Sequence, residues 1–332
     1  MTKTIRWGIV GCGGIAAKFA AGAAVVGDVQ VVAAASRTPG KAEAFATKHG
    51  IGRHYTDYAG LLACDDIDAV YVATTHNFHY ECVREVLKAG KPVMCEKPFT
   101  VNAREMQSLI TLAGDRKLFM MEAMWTRFLP LMDQVRRWLA EGVIGDIKNL
   151  RATFGFQFPF DPNHRLLNPD LAGGALLDAG IYPLSFANMV MREKPVEVRA
   201  LADIGSTGID EQSACILRYH SGALALVDCE VSAPVVSRAE VVGTKGRIWI
   251  ADKFLMADTV SLELNDQDPI QKHFPFDNQT GFQFEIDAAS DSIRSGLSEN
   301  PIMPLSDTLQ LMETIDEIKA QVGLTYANDR EK

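Results

Sequence analysis

The chain has 332 residues, which is enough for two domains with sizeable cores, since a domain averages roughly 150 residues. Hydrophobic residues make up 47% and charged residues 23%, which excludes a wholly disordered, collagenous or coiled-coil chain. A formal net charge of −9 disfavours binding to nucleic acid or to anionic membranes, and no apolar run reaches the ~18 residues of a membrane span.

The first 120 residues alternate apolar runs with helical patterns. Runs that are apolar throughout predict strands buried on both faces, here at 5–10, 29–35, 68–74, 91–95 and 118–121. Helices are predicted between them at 15–26, 41–49, 80–89 and 102–113. Because strands that alternate with helices form parallel sheets, residues 1–123 are predicted to be a doubly wound α/β domain of Rossmann type.

A glycine-rich turn joins the first predicted strand to the first helix. Residues 11–16 read G-C-G-G-I-A, which matches the G-x-G-x-x-A pattern of dinucleotide-binding turns. In such a turn the glycines allow a tight bend and a close approach to a pyrophosphate, and the helix N-terminus offers free N–H groups. This context favours a cofactor site over a purely structural turn, with contacts from Gly11, Gly13, Gly14, Ile15 and Ala16.

The end of the second predicted strand distinguishes NADP from NAD. An acidic residue there would bind the ribose 2′-hydroxyl of NAD, but the sequence has Ser36, Arg37 and Thr38, followed by Lys41. The two hydroxyl groups can donate hydrogen bonds, and the Arg37 guanidinium can pair with a 2′-phosphate. Arg37 could also be an ordinary solvated charge, but its coincidence with the missing acid favours NADP.

Residues 124–332 change to strands with an alternating pattern. Strands are predicted at 147–158, 196–203, 213–219, 223–231, 239–242 and 247–251, and helices at 129–141, 174–191, 282–295 and 306–322. The predicted architecture is an α+β domain on a large open, mainly antiparallel sheet, with surface connections at 189–194 and 266–277. Both faces of the strand 223–231 are apolar, which predicts a homodimer through this sheet unless the terminal helices cover one face.

Cysteine and histidine usage favours neither disulfides nor a metal. The six cysteines are scattered without a C-x-x-C pair and indicate reduced thiols, and the N-terminus lacks a signal-peptide pattern, so a soluble cytoplasmic protein is expected. His76, His79 and Cys82 mimic a metal-ligand spacing. Because Cys82 falls inside a helical pattern and no acidic ligand follows, no metal site is predicted.

Four separated motifs resemble the Gfo/Idh/MocA oxidoreductase family. Residues 90–98 (G-K-P-V-M-C-E-K-P) are similar to its A-G-K-x-V-x-x-E-K-P stretch, and 73–79 (A-T-T-H-N-F-H) to its A-T-P-N-x-x-H stretch. Residues 122–128 and 173–183 resemble the branch of dihydrodiol dehydrogenases and NADP-dependent D-xylose dehydrogenases. The resemblance covers nearly the whole chain. It implies a nicotinamide-dependent reaction on a sugar or related polyol, with the second domain as substrate platform and oligomer interface.

Lys97, Asp178 and Tyr182 match the catalytic positions of that family. Free tyrosine, with a pKa of about 10, is a poor base near neutrality, but a nearby lysine ammonium lowers the pKa of a phenol. Asp178 and Tyr182 are four residues apart on a predicted helix and therefore share a face, so Asp178 is expected to orient the substrate hydroxyl or the lysine. Taken singly, each residue also has an ordinary structural interpretation.

Further contacts are expected around the cofactor and the substrate. Thr74, His76, His79, Glu96 and Lys97 join the predicted cofactor site, although His76 is equally compatible with a structural role and Glu96 with orienting a loop. The substrate contacts are predicted to come from Trp125, Phe154 and Arg165, of which the two aromatic residues could instead belong to the core.

The resulting expectation is an NADP-dependent dehydrogenase acting on an aldose such as D-xylose or on a trans-dihydrodiol. Three alternatives stay open: another polyol or keto-sugar dehydrogenase or reductase, an NAD-dependent glycoside hydrolase, and a non-catalytic NADP-binding regulator. Retention of Lys97, Asp178 and Tyr182 argues against the regulator. The identity of the substrate depends on loops such as 156–168 and 266–280.

Overall fold

The computed structural model describes residues 3–251, 253–275 and 281–330, and it contains two compact units. Unit 1 comprises Met1–Thr100, Arg104–Trp125 and Asn278–Thr308. Unit 2 comprises Val101–Ala103, Thr126–Asp277 and Leu309–Lys332. Unit 1 therefore includes a late segment of the chain that the predicted boundaries, 1–123 and 124–332, assign to the second domain.

Unit 1 is built on a six-stranded parallel sheet with the order β3-β2-β1-β4-β5-β6. The strands are β1 (Ile5–Val10), β2 (Val29–Ala35), β3 (Arg53–Tyr55), β4 (Ala69–Val72), β5 (Val93–Glu96) and β6 (Met120–Ala123). The helices between them are α1 (Gly14–Ala23), α2 (Lys41–His49), α3 (Tyr58–Leu62), α4 (His76–Lys88) and α5 (Ala103–Arg116). The strand order reverses between β1 and β4, and the predicted doubly wound α/β fold is confirmed.

Two short elements of unit 1 were not predicted, and one helix starts earlier than expected. β3 and α3 have three and five residues, which is too short for a periodic pattern to stand out. α4 begins at His76 rather than near residue 80, because β4 already ends at Val72 and Thr75 has the extended backbone of an N-cap. His76 and His79 consequently lie in the first turn of α4.

Unit 2 is built on an eight-stranded sheet with the order β14-β13-β12-β11-β7-β10-β9-β8. Its strands follow helix α6 (Pro130–Ala140) and are β7 (Ile147–Gly155), β8 (Glu197–Ile204), β9 (Asp210–Arg218), β10 (Leu224–Glu230), β11 (Arg238–Gly243), β12 (Gly246–Ile250), β13 (Thr259–Leu264) and β14 (Ile270–His273). The pair β7–β10 is parallel, and all other pairs are antiparallel. The predicted mainly antiparallel sheet is confirmed.

The sequence prediction was wrong for part of the 266–277 connection, and it missed β13. The strand β14 occupies Ile270–His273 in that segment, and it escaped prediction because its residues are all exposed and mostly polar. Residues 276–277 of that connection, and 276–280 of the loop expected to shape the substrate pocket, lie outside the described residues.

One segment covers the inner face of this sheet and carries two predicted catalytic residues. A π-helical turn, Leu176–Gly180, continues directly into α7 (Ile181–Met191), and both contact β7 and β10. Alternate residues of β10, namely Ala225, Val227 and Cys229, are buried against this segment. The sheet therefore has one dry face, and that face holds the segment in place through the hydrophobic effect.

The opposite face of the sheet carries an apolar patch, which we call the open sheet face and define by Leu201, Ile216, Leu224 and Leu226. The residues come from β8, β9 and β10, and Leu226 of β10 is paired with Ile216 of the neighbouring strand β9. Their relative exposures are 81%, 47%, 37% and 36%.

Two helices close the chain, α8 (Phe282–Arg294) and α9 (Leu305–Val322). α8 packs on α1 within unit 1, where the Trp7 indole N–H donates to Ser290 Oγ at 3.1 Å and Phe282 lies against Gly22. Although α9 has 18 residues, neither it nor any other helix in the described ranges is long and apolar enough to cross a membrane.

Candidate active site

The predicted dinucleotide turn leaves open space beside Gly13 and Gly14, where a phosphate group could approach the backbone. Gly11 has a φ of +96°, and a Cβ there would lie 2.6 Å from the Ala73 carbonyl oxygen, so only glycine fits. By contrast, a Cβ on Gly13 or Gly14 would meet no atom within 4 Å. Gly13 is the N-cap of α1 and offers no side-chain hydrogen bond, and the first turn of α1 has no acidic residue. The turn therefore presents uncapped N–H groups and the positive end of the helix dipole to open space.

The neighbouring turn after β2 places Arg37 between two aromatic rings. Its guanidinium carbon is 4.6 Å from the centroid of the Phe78 ring and 5.2 Å from that of Tyr58. Next to it, Ser36 Oγ accepts a hydrogen bond from the Thr38 N–H at 3.2 Å, and Lys41 opens α2. The sequence indicated Arg37 but not its aromatic neighbours, because Tyr58 and Phe78 lie in other elements and form no motif with it.

A cavity of about 240 Å³ adjoins this arginine. Its apolar walls include Val10, Tyr58, Leu62, Phe78 and Val86. An apolar slot beside a cation and aromatic rings is suited to a flat heteroaromatic ring such as adenine. The glycine turn is thus suited to the pyrophosphate of an adenine dinucleotide, and this cavity to its adenine ring.

His79 connects the ends of β4 and β5. It is fully buried, with Nδ1 2.8 Å from the Pro98 carbonyl oxygen and Nε2 3.1 Å from the Thr74 carbonyl oxygen. Carbonyl oxygens only accept, so a neutral imidazole donates to one of the two, depending on its tautomer. His76 is also buried, and its ring centroid lies 5.8 Å from that of His79. His79 thus packs beside the turn that follows Lys97.

Glu96 is held within the sheet beneath Lys97. Its carboxylate accepts hydrogen bonds from the Tyr71 hydroxyl and from the Lys97 N–H, the latter at 3.3 Å. Burial raises the pKa of Glu96, against the lowering effect of the Tyr71 hydrogen bond and the Lys97 charge. A second buried acid from α8, Glu285, has a pKa held well above its ordinary value by burial and by the charge of Glu96. These contacts fix the backbone from which the buried Lys97 side chain extends.

In unit 2, Arg165 forms an ion pair with Asp178, and Tyr182 follows Asp178 by four residues in the same segment. The Arg165 guanidinium donates to both oxygens of Asp178, at 3.1 and 3.3 Å, and only 7% of the Asp178 side chain is exposed. The Tyr182 ring meets Phe154 edge to face with centroids 5.4 Å apart. A π-helical turn such as the one that carries Asp178 is rare and frequently marks a functional site.

The three predicted substrate contacts do not share one unit. Phe154 and Arg165 lie in unit 2, whereas Trp125 is the last residue of its unit 1 segment. The Trp125 ring is 6% exposed and stacks on Phe282 of α8, with centroids 5.5 Å apart and planes inclined by 14°.

Comparison with protein families identifies both parts of the chain. Residues 5–123 match the model of an oxidoreductase family with an NAD-binding Rossmann fold, and residues 132–249 match the Gfo/Idh/MocA C-terminal domain. The chain is also 34% identical over 333 residues to human trans-1,2-dihydrobenzene-1,2-diol dehydrogenase, covering 98% of this chain and 99% of the relative. The corresponding enzyme of Xenopus tropicalis is 36% identical, with 97% and 99% covered.

Solved structures have the same fold over nearly the whole length. A 3-ketoreductase from Actinomadura kijaniata, in complex with NADP and TDP-benzene, has a TM-score of 0.86 at 27% identity and covers 96% of this chain and 98% of its own. An aldose-aldose oxidoreductase from Caulobacter crescentus, complexed with glycerol, has a TM-score of 0.87 at 24% identity, with 97% and 98% covered. At 24% identity, the similarity to the aldose-aldose oxidoreductase shows a shared fold alone.

The two glycines of the dinucleotide turn are expected to respond differently to the same substitution. Gly13→Ala meets open space, so Tm should stay within a degree or two, while the added methyl group should raise the Kd for NADP roughly tenfold or more. Gly11→Ala should also destabilise the protein, by about 1–3 kcal/mol, because of its positive φ and the clash with Ala73. Thermal unfolding without NADP measures the stability of each variant, and the rise in Tm on adding NADP measures its binding. Equal Tm losses in the two variants would contradict this assignment.

Proposed function

The chain belongs to the Gfo/Idh/MocA oxidoreductase family, and we propose that it is an NADP-dependent dehydrogenase acting on an aldose such as D-xylose or on a trans-dihydrodiol. One observation carries this proposal. Lys97, Asp178 and Tyr182 all occur in a chain that is similar over its whole length to enzymes named trans-dihydrodiol dehydrogenases. A chain that served only as an NADP-binding regulator would not need all three residues.

The proposed reaction is hydride transfer coupled to proton transfer. When bound, the nicotinamide supplies the hydride acceptor for oxidation. Tyr182 takes the proton from the substrate hydroxyl, and the Lys97 ammonium stabilises the resulting phenolate. Asp178 orients the substrate hydroxyl, because the Arg165 guanidinium holds its carboxylate in one direction.

Phe154 supports a substrate with an apolar ring face. Its edge-to-face contact with Tyr182, together with Phe156 at a centroid distance of 6.0 Å, provides aromatic surface beside the proposed base. Aromatic surface of this kind suits the ring of a dihydrodiol and also the apolar face of a sugar ring.

Reduction of a keto-sugar is a second candidate function. The 27% identity to the 3-ketoreductase from Actinomadura kijaniata favours it. With NADP or NADPH, a panel of aldoses, trans-dihydrodiols and keto-sugars separates the candidates by the change in nicotinamide absorbance.

We expect Tyr182→Phe to lower kcat by roughly 10²–10⁴, because it removes the proposed acid–base group and keeps the ring. Lys97→Met should be comparably damaging, and the double variant should lose little more than either single one, since the two residues act as a unit. Steady-state kinetics on the best substrate of the panel measures this. Tyr80→Phe, which removes a hydroxyl on α4, is the matched control. If the Tyr182→Phe enzyme keeps its kcat and only KM changes, Tyr182 binds the substrate and is not the base.

The preference for NADP is proposed to come from Arg37 together with Ser36, Thr38 and Lys41. Arg37→Ala removes a bidentate partner of the 2′-phosphate, a contact worth roughly 1.5–3 kcal/mol, so KM for NADP should rise about 10- to 100-fold. Because Arg37 also lies over the Phe78 and Tyr58 rings, we expect a few-fold effect with NAD as well. Arg84→Ala, another arginine over an aromatic ring, serves as the control. Equal losses with both cofactors would make Arg37 purely structural.

We also propose that two copies of the chain form a homodimer through the open sheet face. Its four exposed apolar side chains lie on three adjacent strands, an arrangement that usually marks an interface. Ile216→Asp should convert the dimer to a monomer in sedimentation at micromolar concentration. Val25→Asp replaces an exposed apolar residue of unit 1 and should leave the dimer intact. A wild-type protein of monomer mass under these conditions would refute the proposal.

A further inference from the structure

A buried carboxyl group lies at the start of the segment that carries Asp178 and Tyr182. Asp210, the first residue of β9, is fully buried. Its Oδ2 accepts a hydrogen bond from the Leu176 N–H at 2.7 Å and another from the Ser213 hydroxyl at 2.7 Å. Leu176 begins the π-helical turn, so Asp210 supplies the N-terminal cap that this segment lacks from its own residues.

The chain before this turn is shaped to admit the carboxyl group. Gly174 has a φ of +121°, and a Cβ there would lie 2.2 Å from Asp210 Oδ1. Beside it, the Tyr326 hydroxyl donates to the Gly173 carbonyl oxygen at 2.6 Å. Two side chains from distant parts of unit 2 therefore hold this stretch of chain, Tyr326 at Gly173 and Asp210 at Leu176.

The second oxygen of Asp210 is buried without a hydrogen-bond partner in the described part of the chain. Burial raises the pKa of this carboxyl group to about 7, although the hydrogen bonds from Ser213 and Leu176 lower it. Two titratable groups interact with it, Cys229 on β10 and Tyr326 near the C-terminus. Burial keeps the pKa of each well above its ordinary value, so both stay neutral while Asp210 titrates. Asp178 and Asp329 interact in turn with Tyr326.

We propose that Asp210 is a positioning residue whose protonation state controls how firmly the segment carrying Asp178 and Tyr182 is held. This inference rests on the proposed function for its catalytic consequence, but not for its structural one. The ionised carboxylate makes a charge-assisted hydrogen bond to Leu176 and interacts favourably with the helix dipole. The protonated form keeps only a weaker, neutral acceptor.

The effect of pH has a defined sign for each measurement. Because the pKa of Asp210 is raised from 3.8 to about 7 in the folded chain, its contribution to the free energy of unfolding is complete below pH 3.8 and is lost as the pH rises to about 7. Local opening that breaks the Leu176 hydrogen bond but leaves Asp210 buried follows the opposite sign, because that bond lowers the pKa of the carboxyl group. As Asp210 ionises near neutral pH, its hydrogen bond to Leu176 strengthens, and the turn should become better protected.

Asp210→Asn imitates the protonated form and removes the titration. In the wild type, hydrogen exchange of residues 174–182, corrected for the intrinsic effect of pH, should slow about three- to tenfold between pH 6 and pH 8. Asp210→Asn should lose this change. It should also lose the fall in unfolding free energy between about pH 4 and pH 7. At pH 8 its kcat should be about three- to tenfold lower, while KM for NADP stays unchanged because the cofactor turn belongs to unit 1.

Two further variants make the result decisive. Asp203→Asn neutralises an exposed aspartate on β8 and should keep the wild-type pH profile. Ser213→Ala removes one hydrogen bond that favours ionisation, so it should move the midpoint of the exchange profile up by about one pH unit. Identical profiles in wild type and Asp210→Asn would overturn the proposal. If Asp210→Asn does not fold, an unmoved midpoint in Ser213→Ala would overturn it. Absence of enzymatic activity would refute the proposed function and leave the exchange and unfolding results to decide this inference.

Discussion

The contact between the backbones of Gly11 and Ala73 is the constraint on which the cofactor-binding half depends. It brings the end of β1 against the turn after β4, at the point where the strand order of the parallel sheet reverses. Only a residue without a Cβ permits this approach. As a result, α1 starts immediately beyond the turn and directs uncapped N–H groups into open space.

In both units a buried carboxyl group holds the segment that carries proposed catalytic residues. Glu96 accepts hydrogen bonds from Tyr71 and from the backbone of Lys97, and Asp210 accepts them from Ser213 and from the backbone of Leu176. Burial raises the pKa of both acids. A buried acid costs free energy unless its oxygens are satisfied, so these groups contribute directional rigidity more than stability. That rigidity is what a site needs when its side chains must keep fixed directions.

The sheet of unit 2 separates two tasks between its faces. The inner face buries small side chains of β10 under the π-helical turn and α7, which sets the position of Asp178 and Tyr182. The outer face leaves large apolar side chains exposed, which is why a second copy of the chain is its proposed partner. Because successive residues of a strand point to opposite faces, one strand serves both purposes.

The sequence by itself determined the alternation of strands and helices, the parallel and antiparallel sheets, the glycine turn and the family motifs, because these depend on local periodicity and short spacings. It did not reveal β3, α3 or β14, which are short or mostly polar, and it missed β13 although Val260, Leu262 and Leu264 alternate there with polar residues. Only the tertiary structure decided that α8 packs into unit 1, that Arg37 lies between Tyr58 and Phe78, and that Asp210 caps a turn 34 residues earlier. These contacts join residues far apart in the chain, and burial and packing, which no local pattern records, select them.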